Sequence, residues 1–270
     1  MRRSIMHNHE GVSILNSLVY VWLLLFIISY IVFVFMTNKT HKKWPIARIV
    51  FWIMGTISVS LSIIGPIAEK AHVSFAAHMI THLLLGMFGP LLIVLSAPMT
   101  LLLRSVPVVW GRFLSKVLKS GYVQWITHPI IASILNAGGL WILYSTDLYT
   151  AMHSSSLLHI LVHVHVFLAG YVFTLSMIYI EVTSHRTSFQ LRAIVLIIAM
   201  AAHSILSKWI YANPPVGVET ADAQLGGMLM YYGGDAIDLM IVIILCSQYF
   251  RGKNRATKGR AFTAVKTSEG

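Results

Sequence analysis

The chain alternates long apolar stretches with short polar connections, and the stretches have the length of membrane helices. Apolar runs cover residues 14–36, 46–64, 75–95, 130–146, 157–180, 191–211 and 224–250. A bilayer core needs about 20 apolar residues per helix, and each span must satisfy its own backbone hydrogen bonds. The pattern predicts an all-α polytopic helical bundle with about seven transmembrane helices. Residues 1–250 form its single domain, and residues 251–270 make a basic tail expected to be disordered.

Details of the pattern refine these elements. The fourth run is short and contains Gly138 and Gly139, which let neighbouring helices approach closely. Trp44, Trp125, Trp141 and Trp209 stand near span ends, where aromatic belts form. Gly89 and Pro90 interrupt the third run, predicting a kink that shapes a cavity or serves architecture alone. Arg2 and Arg3 before an apolar run resemble a secretion signal. That run is too long for a signal core and no small-residue cleavage site follows, so a retained first helix is expected. After the third run, Ser105, Val106 and Pro107 read as a helix start. Residues 108–118 then interleave apolar positions with Arg112 and Lys116, as an amphipathic helix lying on the lipid surface would.

Composition agrees. Hydrophobic residues make up 57% of the chain and charged residues 11%, so no separate soluble domain fits between the spans. The formal charge of +11 is carried by short connections, which points to lipid and topology and not to nucleic acid. All of the 20 lysines and arginines except Arg2, Arg3, Lys70 and Lys208 fall on one side of the alternating spans. The positive-inside rule then places the N-terminus outside and the C-terminus in the cytoplasm. Cys246 is the single cysteine, excluding an intrachain disulfide and any paired-cysteine copper motif.

The chain carries 13 histidines, and imidazole is costly in hydrocarbon without a partner. His78 and His82 are four residues apart in the third run, His159 and His163 four apart in the fifth, and His203 lies in the sixth. Residues four apart share a helical face. At 1.5 Å per residue the five fall roughly 3–12 Å below the outer boundary. The spacing therefore predicts one histidine layer in the outer half of the bilayer. Imidazole suits copper, zinc, iron and nickel, and inward-pointing thioethers from Met79, Met152, Met200 or Met228 would favour cuprous copper. A metal or haem site, interhelical packing, and proton or quinone handling all remain open for these histidines. His7, His9, His72, His153 and His165 lie on or near the same side without an assigned role, and His165 falls on a different face from His159 and His163.

The last helix carries Met228, Tyr231, Asp235 and Asp238 on one stripe, with Asp235 near the midplane. Asp235, Asp238 and Tyr231 are candidates to support a ligating histidine from behind or to relay protons, and Asp235 equally to pair with a histidine structurally. Glu219 and Asp222 make a short acidic loop expected to be solvated. No catalytic-triad elbow, phosphate loop or metalloprotease motif is present, so the chain reads as a non-enzyme.

The stretch from Ala77 through His78, Met79, Ile80, Thr81 and His82, followed by Gly89-Pro90-Leu91-Leu92 and Ala97-Pro98, resembles the third-helix signature of the CtaG family. His159 and His163, Ala202-His203, Gly226-Gly227-Met228 and Tyr232 through Asp235 are similar to later motifs of that family. The likeness runs over residues 14–251 in order. It implies an assembly factor of the caa-type cytochrome c oxidase of Gram-positive bacteria, in the bacterial plasma membrane. It further implies action at the copper centre of the catalytic subunit, with oxidase subunits and an extracytoplasmic copper donor as partners. On this reading His78, His82, His159, His163 and His203 supply a transient copper site supported by Asp235. Two rivals use the same residues: a membrane oxidoreductase holding haem b between facing histidines, and a copper or proton transporter. A metal-free scaffold for oxidase subunits is the third.

Overall fold

The computed structural model describes the backbone of residues 2–183 and 186–268 and the side chains of residues 21–183 and 186–254. His185, the side chains of His7 and His9, and the tail side chains from residue 255 on lie outside the described residues. The described chain is helical throughout: α1 (Arg2–Thr40), α2 (Ile46–Ile63), α3 (Pro66–Ala71), α4 (Phe75–Leu83), α5 (Gly89–Ser96), α6 (Pro98–Ser105), α7 (Val108–Leu118), α8 (Gly121–Ile126), α9 (Pro129–Ser133), α10 (Gly139–Ser145), α11 (Leu148–Ser154), α12 (Ser156–Met177), α13 (Phe189–Ala212) and α14 (Thr220–Ser268).

Six helical stretches among the described residues are long and apolar enough to cross a membrane, and α9 through α11 supply a seventh if their bent course counts as one. That fourth predicted span is the exception to a straight bundle. It passes through a π turn, Ile134–Gly138, and its last part, α11, is turned by 77° from what precedes it. The bend brings Tyr149 and Met152 into the apolar cluster at that end of the bundle, where a straight helix would have carried them past it.

The third span, Phe75–Ser105, is the axial element: 67% of its most apolar window is buried, against 17% for the spans formed by α1 and α2. Pro90 has no N–H to return to the preceding turn, and the helix absorbs this as a π turn, Leu84–Phe88, where the sequence predicts a kink. Ala97, in the left-handed region at φ 54°, separates α5 from α6. The Glu181 carboxylate accepts from the backbone N–H of Met99 and Thr100 at 2.8 and 2.9 Å and so caps α6.

Of three apolar clusters among the described residues, one packs Tyr30 and Val34 of α1 against Trp44 and Leu101, and two fill the bundle beyond it. The first of these two joins α5, α12, α13 and α14 through Leu91, Val94, Phe173, Met177, Leu196 and Ile241. The other joins α4, α10, α11, α13 and α14 through Phe75, Met79, Leu143, Met152, Leu206 and Met230. α13 belongs to both, and His203 sits on it between Ala199 of the first cluster and Leu206 of the second. The connections sort to two ends. At one, Arg48 and Arg104 lie over the Trp44 ring at 4.6 and 5.5 Å, and Arg192 donates to Met177 O. At the other, Asp222 ties the start of α14 to the start of α4.

α7 keeps the bounds that the sequence predicts, and Val108, Val109, Trp110 and Phe113 project from it exposed, as an interfacial helix requires.

Candidate metal centre

Each histidine is placed by a local device. α4 starts at Ser74, whose hydroxyl caps Ala77 N, and Asp222 accepts from Phe75 N at 2.6 Å, Ala76 N at 3.1 Å and Ser74 Oγ at 3.1 Å. This clamp fixes α4 against α14, one turn before His78. Both His78 and His82 are buried. α12 starts under the Ser155 cap and delivers His159 and His163 on one face, their rings stacked at 4.1 Å.

His163 Nδ1 lies 2.9 Å from His159 O, and His153 Nδ1 lies 2.9 Å from Tyr149 O. A carbonyl oxygen only accepts, so each Nδ1 is the donor, which in a neutral imidazole leaves Nε2 as the free lone pair. That is the tautomer a metal ligand needs, held by the backbone.

The five sequence-predicted histidines come together, and two more join them. His72, between α3 and α4, lies 5.5 Å from His159 between ring centroids. His153 on α11 lies 6.3 Å from His78, and His78 lies 6.4 Å from His163. His72, His78, His153, His159 and His163 line one chamber of about 290 Å³, whose other walls are mostly apolar. A second cavity of about 20 Å³ adjoins it, sharing His78, Thr81, Leu85 and His163 and adding His82 and Tyr144. It has room for about one water molecule or ion.

Deeper still, His82 and His203 face each other at 6.3 Å. His82 Nε2 and both nitrogens of His203 are buried with no hydrogen-bond partner. Gly234 makes room for the His203 ring, since a Cβ there would overlap the imidazole. Gly86 and Gly170 serve the neighbouring crossing: a Cβ on Gly170 would overlap Gly86 O, so α12 touches the π turn backbone to backbone. His78 differs, its Nε2 standing 3.1 Å from the Tyr144 hydroxyl.

The supporting residues expected on the last helix divide. Asp235 accepts from Ser204 Oγ at 3.2 Å, and that is the hydrogen bond the structure gives it, in place of one from a histidine. Asp238 is buried one turn further on. Tyr231 faces Lys208, whose Nζ lies 5.0 Å over its ring, and not the histidines. The thioethers do not enter either cavity. Met79 and Met152 are packed in one apolar cluster, Met200 packs against the other, and Met228 is exposed. His165 points elsewhere, its Nε2 3.2 Å from Leu135 O.

Neither cavity lining contains a carboxylate or thiol. Among the described residues no three His, Cys, Asp or Glu side chains already converge on a metal position. Ring separations of 4.1–6.4 Å describe imidazoles bordering a space that side-chain rotation would close.

Comparison with known proteins sets this geometry in a family context. The family model of the cytochrome c oxidase caa3 assembly factor matches residues 28–252. An uncharacterised protein of Mycobacterium leprae (strain TN) is 24% identical over 249 residues, covering 84% of this chain and 38% of that protein. Uncharacterised proteins of Mycobacterium bovis and Mycobacterium tuberculosis are each 26% identical over 239 residues, covering 81% of this chain and 36% of theirs. The chain therefore spans less than two-fifths of the length of these relatives. No solved structure matches it.

Proposed function

The chain belongs to the cytochrome c oxidase caa3 assembly factor family, and from that premise we propose that it handles copper destined for the oxidase, as cargo, through its histidine chamber. The observation that carries this reading is the chamber itself: five imidazoles from α4, α11, α12 and the α3–α4 connection around one cavity, two of them with Nδ1 held by a backbone carbonyl. Neutral imidazoles without thiolates favour a site that binds and releases over a closed structural site. The role is that of a chaperone and not of an enzyme.

The chamber lies at the end of the bundle opposite Trp44, Arg48 and Arg104. With the basic connections in the cytoplasm, it faces the extracytoplasmic half of the bacterial plasma membrane. There it can receive copper from an extracytoplasmic donor and pass it to an oxidase subunit alongside. Copper is preferred to haem b because the cavity at His82 is about 20 Å³, far too small for a porphyrin.

The test is a His78→Ala, His163→Ala double variant in cells that make the oxidase. Loss of oxidase activity and of oxidase-bound copper by about tenfold or more is expected. Unchanged copper content would favour a scaffold, and a Soret band in the purified protein would favour the haem enzyme. Copper uptake by vesicles containing this chain alone would favour the transporter.

A further inference from the structure

The histidines are not equivalent. His159 and His163 lie in an open chamber, while His82 and His203 are only 5% and 6% exposed, with three ring nitrogens lacking any partner. Buried polar atoms left unpaired lose their hydration without a replacement bond, so these nitrogens are poised to take a ligand. Gly234 keeps clear the space that the His203 ring occupies. The small cavity at His78 and His163 links the chamber to His82.

We infer that the protein has two cation subsites in series: a loading site in the chamber, at His159 and His163, and an enclosed holding site formed by His82 and His203 that takes monovalent copper, Cu(I). The inference rests on the copper-handling reading above and adds where the ion rests and in which charge state. Two neutral imidazoles bring no negative charge, and an ion moved into a low-dielectric interior gives up its hydration. The cost of this rises with the square of the charge, which disfavours a divalent ion. Cu(I) has a filled d shell and accepts two nitrogen ligands, so the pair suffices without a third donor. Asp235, held by Ser204 on the same helix as His203, is the acidic side chain that the packing of α13 on α14 brings to this pair. No electron transfer is required, because the ion enters and leaves as Cu(I).

The experiment uses the full chain in lipid nanodiscs, titrated anaerobically with Cu(I) against a chromogenic Cu(I) chelator. The wild type is expected to show one chelator-resistant ion and a second, weaker class. His82→Gln and His203→Gln should each abolish the resistant class, shifting retention by about tenfold or more, and leave the weaker one. The His159→Gln, His163→Gln double variant should keep the resistant class at equilibrium and load it about tenfold more slowly. A resistant class that survives His82→Gln and His203→Gln overturns the inference and leaves the chamber reading standing. A wild type that retains no Cu(I) at all overturns the copper reading itself. X-ray absorption of the wild type gives an answer even if the variants do not fold. Two nitrogen scatterers around the resistant copper support the pair, and three or more, or any sulfur, overturn it.

Discussion

At the scale of residues, the site depends on carboxylates and carbonyls that hold histidines without touching the cavity. Asp222 is the clearest case: one carboxylate satisfies two backbone N–H groups and a hydroxyl at the start of α4, where the helix dipole also favours negative charge. Asp222→Ala is expected to destabilise the protein by about 1–2 kcal/mol, read as a lowered thermal midpoint in nanodiscs, and Asp222→Asn by less. Because α4 carries His78 and His82, the Ala variant should also weaken Cu(I) retention. Unchanged stability would show that the clamp does not order α4. None of this is legible in sequence, since Asp222 and Phe75 are 147 positions apart and an acidic residue after a loop reads as solvated. The histidines divide in the same way. His78, His82, His159, His163 and His203 declare themselves because four-residue spacing inside apolar runs gives face and depth together. His72 and His153 occupy short helix ends between spans, where a histidine is unremarkable, and only the folded bend brings them to the chamber.

At the scale of elements, the apolar pattern reports which segments cross and misses how they deviate. Most runs give the spans within a few residues, and α7 within none, because span length and amphipathic alternation are local properties. The third span, however, continues past its run's end at 95 to Ser105. The π turns at Leu84–Phe88 and Ile134–Gly138 and the 77° bend before α11 are tertiary outcomes, and the proline and glycines that permit them also occur in plain kinks. The crossing of α12 over the first π turn shows what these deviations achieve. Gly170 meets Gly86 there, and this contact sets the distance from His163 to His78. Gly170→Ala forces backbone against methyl, with no flexible side chain to give way. A cost of about 1–3 kcal/mol in stability is expected, together with faster exchange of chamber-bound Cu(I). Gly138→Ala is the contrast, because its added Cβ meets only Ile134 at 3.8 Å and should be neutral. Equal effects of the two substitutions in the same melting assay would show that the crossing does not govern the packing.

At the scale of the whole molecule, the proposed copper delivery turns on orientation, because a chamber open to the cytoplasm could not receive an extracytoplasmic ion. The two ends differ in charge. Trp44 gathers Arg48 and Arg104 at one, next to the Arg112 and Lys116 of α7, while the connections holding His72 and His153 have Lys70 as their one lysine or arginine. The field of anionic lipid and the insertion bias both favour the basic end inside. Cys246 is the single cysteine, so a Cys246→Ser background gives a blank chain for site-directed labelling. Ser154→Cys, in the exposed end of α11 beside the chamber, should react in intact cells with a membrane-impermeant maleimide. Ser120→Cys, between α7 and α8, should react only after the cells are opened. The reverse pattern would turn the chamber to the cytoplasm and end the delivery route, while leaving its affinity for copper intact. Ser120 caps α8 by accepting from Val123 N, so labelling is compared only between variants that keep the wild-type melting behaviour.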